Sequence, residues 1–298
     1  MKIGIIGRGA IGTLYGMSFY EAFAEDFCFI VDEKRKERYE KNPLICNGKE
    51  VAFPYCSTCK EPMDILFFST KYAGLEQAIL LAKPLINEKT ILCSFLNGIS
   101  SETLIQKNFP KNPVIYTFVQ GMDSTYLNNE VSYHLMGELI FGARFKEEEI
   151  YCDQLEKLYQ KAKIPYRRVE DILLEQWNKL MFNCGLNQTC AAYYSTYGGL
   201  QNPGCLQDLF LAAMKEVQIV ANAYGIALNE GHIQSWLDVL RPMSPEGMPS
   251  MRQDLLAKRK TELPLFSGTI VPLAKEKGIE VPILEDLMHR IQKIEKVL

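Results

Sequence analysis

No apolar run in this sequence approaches the roughly 20 residues that a membrane-spanning helix requires. The N-terminus passes from one lysine straight into a strand and a glycine loop, so no secretory signal is expected and a cytoplasmic location is. Net charge is also small: 33 Lys and Arg face 36 Asp and Glu, a formal charge of -3 at pH 7, with a pI of about 5.8. That balance argues against nucleic acid as the main partner, while leaving room for an anionic small molecule in a local basic pocket. Histidine is scarce, with His134, His232 and His289 far apart. Among nine cysteines only Cys56 and Cys59 form a C-x-x-C pair, so the ligand spacing of a zinc site is incomplete and no metal site is expected. The other cysteines lie in apolar surroundings such as Phe27-Cys28-Phe29 and Leu92-Cys93-Ser94, which suits reduced core thiols. Cys56 and Cys59 are accordingly expected to carry neither a functional metal nor a disulfide.

What is present is ample material for a core. The chain has 298 residues, 47% of them hydrophobic and 23% charged, which fits one large or two ordinary globular domains. Lys2 to Ile6 is a short apolar run leading into Gly7-Arg8-Gly9-Ala10-Ile11-Gly12, and helical spacing follows over Thr13 to Ala24. Further buried strands are expected at Phe27 to Val31, Asp64 to Phe68, Thr90 to Phe95 and Val114 to Val119, with short strands at Val131 to Leu135, Glu138 to Phe141 and Tyr166 to Val169. Asn47-Gly48 marks a small hairpin inside Leu44 to Phe53. Helices are expected at Ala73 to Ala82 and Glu147 to Ala162, then at Ile172 to Ala192, Leu206 to Tyr224, His232 to Leu240 and Leu284 to Val297. The pattern is an α/β chain: an N-terminal doubly wound, Rossmann-type parallel sheet over 1–169, followed by an all-α domain over 170–298. No Gly/Ser-rich linker, internal repeat or low-complexity tract interrupts it.

Two stretches carry chemistry. In the glycine loop, Gly7 permits a tight turn, Gly9 lets backbone approach a pyrophosphate, and Gly12 allows close helix-to-strand packing, while the helix N-terminus supplies N–H groups to phosphates. Asp32, about 20 residues further on, stands where an acid accepts hydrogen bonds from the adenosine ribose of NAD. Lys34, Arg35 and Lys71 are cations that could instead neutralise a 2′-phosphate, though a solvated helix start explains Lys34 and Arg35 better. The second stretch is Trp177 to Ala191. Its helix should be largely buried, yet Lys179, Asn183 and Asn187 recur every fourth residue and share one face. Buried carboxamides and a lysine require partners, which could be a packing network or a ligand. Asn97, after the strand ending at Phe95, stands where ligands of doubly wound sheets bind; its alternative role is a turn that tolerates unusual backbone angles. Ser250 and Gln253 match a capping box, and the helix they start could seat a carboxylate. Thr261-Glu262 is read as another helix start, with Glu262 a dipole-stabilising acid or a partner for Lys179.

Taken in order, Gly7 to Gly12, Thr70-Lys71, Asn97-Gly98, Trp177-x-Lys179-Leu180 with Asn183 and Asn187, and Ser250-Met251-x-Gln253-Asp254 through Thr261-Glu262 resemble the ketopantoate reductases (2-dehydropantoate 2-reductases). The resemblance spans nearly the whole chain. It implies NADPH-dependent reduction of 2-dehydropantoate to pantoate, a step of pantothenate biosynthesis. Lys179 would be the general acid and Glu262 would orient it or the bound acid. Asn97, Asn183, Asn187 and Ser250 would hold substrate. Gly7, Arg8, Gly9, Ala10, Ile11, Gly12, Asp32, Lys71 and Asn97 would line the cofactor.

The chain departs from the family's pattern at Asp32, where a basic residue is frequent, so NADH is the alternative cofactor. It departs again at Leu263-Pro264 and Ser267-Gly268, and a single serine follows Pro249 where a pair is frequent. A related 2-hydroxy acid dehydrogenase with another substrate is thus the second reading, and a non-catalytic dinucleotide sensor the third. The expected partner is a small 2-oxo acid, with no nucleic acid and no membrane; a homodimer is compatible with the sequence, which leaves oligomeric state open.

Overall fold

A computed structural model describes residues 1–59 and 61–298. The chain divides into two compact units, one made of Met1–Asn97 and Ser101–Ile172, the other of Gly98–Ser100 and Leu173–Leu298.

In the first unit the order is β1 (Ile3–Ile6), α1 (Ala10–Phe23), β2 (Phe27–Ile30), α2 (Glu33–Lys41), β3 (Leu44–Cys46), β4 (Lys49–Val51), β5 (Tyr55–Cys56), β6 (Ile65–Phe68), α3 (Leu75–Ala82) and β7 (Ile91–Ser94). It continues with α4 (Ser101–Asn108), β8 (Val114–Gln120), β9 (Thr125–Leu127), β10 (Glu130–Ser132), β11 (Glu138–Gly142), α5 (Glu149–Lys161) and β12 (Tyr166–Arg168). Eight strands form one sheet in the order β12-β11-β8-β7-β6-β1-β2-β5. Pairing is parallel from β8 through β5. β11 runs antiparallel to β8, with β12 parallel to β11 at the far edge. Alternate residues go to opposite faces. Ile3, Ile5, Phe27, Phe29, Ile65, Phe67, Ile91 and Cys93 enter one cluster, while Ile6, Ile30, Leu66, Phe68 and Leu92 enter the other. Both faces are therefore dry, which is why these strands read as continuous apolar runs. On the first face, Phe67 stacks between Phe19 and Phe95 with ring centroids 5.2 and 4.8 Å away.

The Asn47-Gly48 hairpin forms as expected, with φ of 46° and 74° at its two central residues. Its partners were not expected: β3 pairs in parallel with β10, and β9 completes a second, four-stranded sheet in the order β4-β3-β10-β9. The helix α4 was also missed, because its mixed sequence SETLIQKN carries little apolar periodicity.

The second unit is helical: α6 (Ile172–Ala192), α7 (Gly198–Gln201), α8 (Cys205–Ala223), α9 (Glu230–Leu240), α10 (Ser250–Leu256), α11 (Ser267–Glu276) and α12 (Pro282–Glu295). None of the described helices is long and apolar enough to cross a membrane. The start of α9 lies ahead of the sequence estimate because Asn229 and His232 form a capping box. α11 went unanticipated because Pro272 lies inside it. Pro272 is the sixth of ten helical residues, so α11 forgoes one i→i−4 hydrogen bond there.

Glu216 of α8 ties this unit together. Its two carboxylate oxygens accept from the N–H groups of Ile283 (2.9 Å) and Leu284 (2.8 Å), capping α12 from outside. Burial pushes the Glu216 carboxyl above its ordinary range, with the two N–H bonds opposing. Such a group stabilises the fold fully below its unfolded value near 4.5, and that contribution is lost as pH rises through the folded value. Glu216→Gln should therefore flatten this part of the stability–pH curve, whereas Glu216→Ala should cost about 1–3 kcal/mol by orphaning two N–H groups. Urea denaturation of the three proteins between pH 4 and 7 measures both effects.

Candidate active site

The glycine loop lies where the strand order changes direction, since β1 is flanked by β2 on one side and β6 on the other. Gly7 has φ of +115°, and a Cβ there would meet Ser69 O at 2.4 Å. A Cβ on Gly12 would come within 2.0 Å of Gly7 O. These two positions admit only glycine because backbone packs on backbone. Gly9 differs: nothing lies within 4 Å of its added Cβ, so this is the open side of the loop. Gly9 also precedes α1 without any side-chain cap, and no acid occupies the first helical turn. The N–H groups over Ala10, Ile11 and Gly12 thus face an anion's natural seat. A dinucleotide pyrophosphate fits this cradle.

Arg8 is 7% exposed, and its guanidinium is already engaged. It donates to Tyr55 Oη at 2.7 Å and Asn129 Oδ1 at 2.8 Å, and lies 3.6 Å from the Tyr39 ring centroid. Its Nε is buried without a partner among the described residues. Together with Arg38, Tyr39, Asn42, Tyr126 and Asn129 it lines a cavity of about 390 Å³ that has no acid in its wall. Sequence reasoning named Arg8 alone. Its companions come from α2, β5 and the β9–β10 turn, up to 121 residues away, and no local signal could have joined them.

Asp32 caps α2: its Oδ1 accepts from Arg35 N at 2.7 Å, and Oδ2 lies 3.6 Å from Arg35 Nε. The acid therefore has a structural duty in addition to any ligand. Lys71 is exposed just past β6. Asn97 follows β7 with an unstrained backbone, and Gly98 carries the positive φ of +85°. The purely conformational explanation for Asn97 is thereby removed.

In the second unit, α6 displays the anticipated stripe. Asn183 and Asn187 are buried and Lys179 is half-buried. Asn187 Oδ1 accepts from Ser250 Oγ and from Met251 N, each at 3.2 Å. Because a backbone N–H can only donate, the Asn187 amide is oriented without ambiguity. Its Nδ2 then donates to Asn183 Oδ1 at 3.2 Å. That leaves the Asn183 Nδ2 hydrogens outside this chain, one helical turn from Lys179.

The capping box expected at Ser250 does not form. Pro249 is the cap residue and makes no side-chain cap bond, Ser250 is the first residue of α10, and Gln253 Nε2 donates to Met248 O. The buried acceptor on Asn187 outcompetes the local cap. Thr261-Glu262 likewise precedes a single 3-10 turn, Leu263–Leu265, rather than a full helix. Thr261 is held through N and Oγ1 by Glu295 Oε1, both at 2.7 Å, and this anchors the backbone that carries Glu262. The expectation for Cys56 and Cys59 also fails: the two are joined as a disulfide, because the bend after β5 turns the second cysteine back on the first.

Models of two parts of one known family match this chain: "Ketopantoate reductase PanE/ApbA" over residues 3–144 and "Ketopantoate reductase PanE/ApbA C terminal" over residues 171–295. The chain belongs to the ketopantoate reductase family. This is a family of oxidoreductases. Among its relatives, a 2-dehydropantoate 2-reductase of Vibrio cholerae is 23% identical over 99% of this chain and 98% of its own length. One from Streptococcus pyogenes is 24% identical over 100% and 99%. Of solved structures, a D-mandelate dehydrogenase with NADH and anilino(oxo)acetate superposes with a TM-score of 0.90 at 22% identity, covering 100% of this chain and 99% of that one. A PanE/ApbA family ketopantoate reductase from Ralstonia eutropha gives 0.86 at 23% identity, with the same coverage.

Removing the Asn187 side chain would orphan Met251 N and release the Asn183 amide. Asn187→Ala should lower stability by about 1–3 kcal/mol, read by urea unfolding, whereas Ser250→Ala, which leaves Met251 N satisfied, should cost less than half as much.

Proposed function

We propose that this protein reduces a 2-oxo acid, 2-dehydropantoate (ketopantoate) to pantoate, using a nicotinamide dinucleotide. The observation that carries this reading is the oriented chain from Met251 N and Ser250 through Asn187 to Asn183, which presents carboxamide donors one turn from a lysine. The dinucleotide is assigned to residues 1–169 and the substrate to residues 170–298. A reduced nicotinamide, when bound, supplies the hydride for the carbonyl carbon. Lys179 supplies the proton for the carbonyl oxygen, as the ammonium form of a lysine side chain can. The Asn183 N–H groups hold the acid's carboxylate, and the Ser250 oxygen, whose proton goes to Asn187, accepts from a substrate hydroxyl. Asn187 orients both, and Asn97 is assigned to substrate and cofactor binding. Glu262 is assigned to orient the lysine or the bound acid.

A nicotinamide cofactor is supported by family membership and by the open glycine cradle at Gly9. NADPH is proposed as the dinucleotide, with Arg8 and Arg38, which share one cavity, and Lys71 as the cations assigned to a 2′-phosphate. Asp32 favours NADH as the second reading. A related 2-hydroxy acid is the second reading for substrate, favoured by Leu263-Pro264 beside Glu262 and by the likeness to D-mandelate dehydrogenase. One structural neighbour, from Staphylococcus aureus, is described as dimeric, and a homodimer is proposed here too, which sedimentation of the purified chain would test.

Following nicotinamide absorbance with ketopantoate and a panel of branched and aromatic 2-oxo acids tests the assignment. Lys179→Ala should lower kcat by about 10²- to 10⁴-fold with cofactor binding unchanged; full activity in that variant would remove the lysine from the mechanism. Fluorescence titration with both cofactors tests the dinucleotide. NADPH should bind more tightly than NADH, and Arg8→Ala should narrow the gap; tighter NADH binding would assign Asp32 to the ribose hydroxyls instead.

A further inference from the structure

Three cysteines meet at the edge of the large sheet. β5 is a two-residue edge strand paired in parallel with β2, with Ile30 opposite Cys56. Cys28 lies two residues before Ile30 and so shares its face, on the diagonal from Cys56. Cys59, after the bend that follows β5, returns to the same place: the Sγ atoms of Cys28, Cys56 and Cys59 all lie within 4.8 Å of one another. All three are partly exposed, so an ion could enter, and Cys28 and Cys59 rest on the hydrophobic cluster beneath. A tetrahedral zinc ion with bonds of about 2.3 Å to sulfur needs sulfur-to-sulfur separations of about 3.8 Å. Cys28 Sγ already lies within 4.8 Å of both other sulfurs, and breaking the Cys56–Cys59 bond lets those two part to that spacing. C-x-x-C supplies the usual two-ligand bite of a structural zinc site, and a two-cysteine redox motif has no need of the third thiol.

We propose that Cys28, Cys56 and Cys59 form a three-thiolate site for a zinc-type divalent ion, filled when the Cys56–Cys59 pair is reduced. A thiol or phosphine reductant delivers two electrons to the Cys56–Cys59 bond, which with two protons gives two thiols. The ion then displaces one proton from each of the three thiols, and water completes the fourth position. The resulting complex has a net charge of -1. Oxidation to the disulfide and metal binding exclude each other, so the site is gated by redox state. Its effect is to staple an edge strand only two residues long to its neighbour and to the following bend.

The test uses the full chain carrying Cys205→Ser, which removes the exposed free thiol, reduced with a phosphine and titrated with Co²⁺ without oxygen. One equivalent should give a thiolate-to-cobalt charge-transfer band with tetrahedral visible absorption, both displaced by Zn²⁺, and Zn²⁺ should raise the thermal midpoint. Cys28→Ser and, separately, Cys59→Ser should each weaken binding by more than about 100-fold, and the oxidised chain should bind none. Circular dichroism confirms that both variants fold; Cys59 belongs to no strand, so its replacement spares the sheet. Absence of the charge-transfer band in the reduced parent would overturn the proposal, as would a Cys28→Ser chain that titrates like it.

Discussion

A backbone N–H can only donate, and that of Met251 ends on the side-chain oxygen of Asn187. The polar face of α6 takes its direction from this one bond. A buried carboxamide is otherwise free to turn over, exchanging donor for acceptor with little change in shape. Once Asn187 must offer oxygen toward α10, it must offer nitrogen toward Asn183, and Asn183 must answer with oxygen. The amide that remains presents donors rather than acceptors, which suits a carboxylate-bearing substrate. Ser250 reinforces the arrangement from the same side.

The first unit reaches specificity by exclusion instead. Its sheet is buried on both faces, so the ends of its strands and the loops beyond them are where backbone groups remain open to a ligand. At Gly7 and Gly12 the chain approaches itself so closely that a methyl group would collide with backbone. Gly9 alone looks outward. The uncapped start of α1 then presents N–H groups to whatever anion occupies the opening. A loop tolerant at one glycine and intolerant at two is what separates a phosphate cradle from an ordinary turn.

Local rules were reliable where no distant group competed for the same atoms. The apolar runs became strands, Asn47-Gly48 became a hairpin, and the every-fourth-residue pattern of Lys179, Asn183 and Asn187 became one face of a single helix. They failed where a remote partner offered more. Ser250 carries every local sign of a helix cap, but its hydroxyl turns to Asn187, 63 positions away. Arg8, named in the sequence only as part of the glycine loop, is held by Tyr39, Tyr55 and Asn129, which no local pattern joins to it. Cys56 and Cys59 read as an incomplete motif because the third thiol, Cys28, belongs to a neighbouring strand.

By itself, then, the order of residues determined the alternation of strands and helices, the change to helices alone after about residue 170, the glycine turn, and the lysine–asparagine face. Each of these depends on spacing within a few turns or along one strand, where geometry follows from the backbone alone. Tertiary structure decided which way the Asn183 amide is turned, that Asp32 caps its own helix, that β3 pairs with β10, and that three cysteines share one corner of a sheet. Those outcomes depend on which hydrogen-bond partner or neighbouring strand the fold brings within about 3–5 Å, and such neighbours are set by packing of the whole unit rather than by any local pattern.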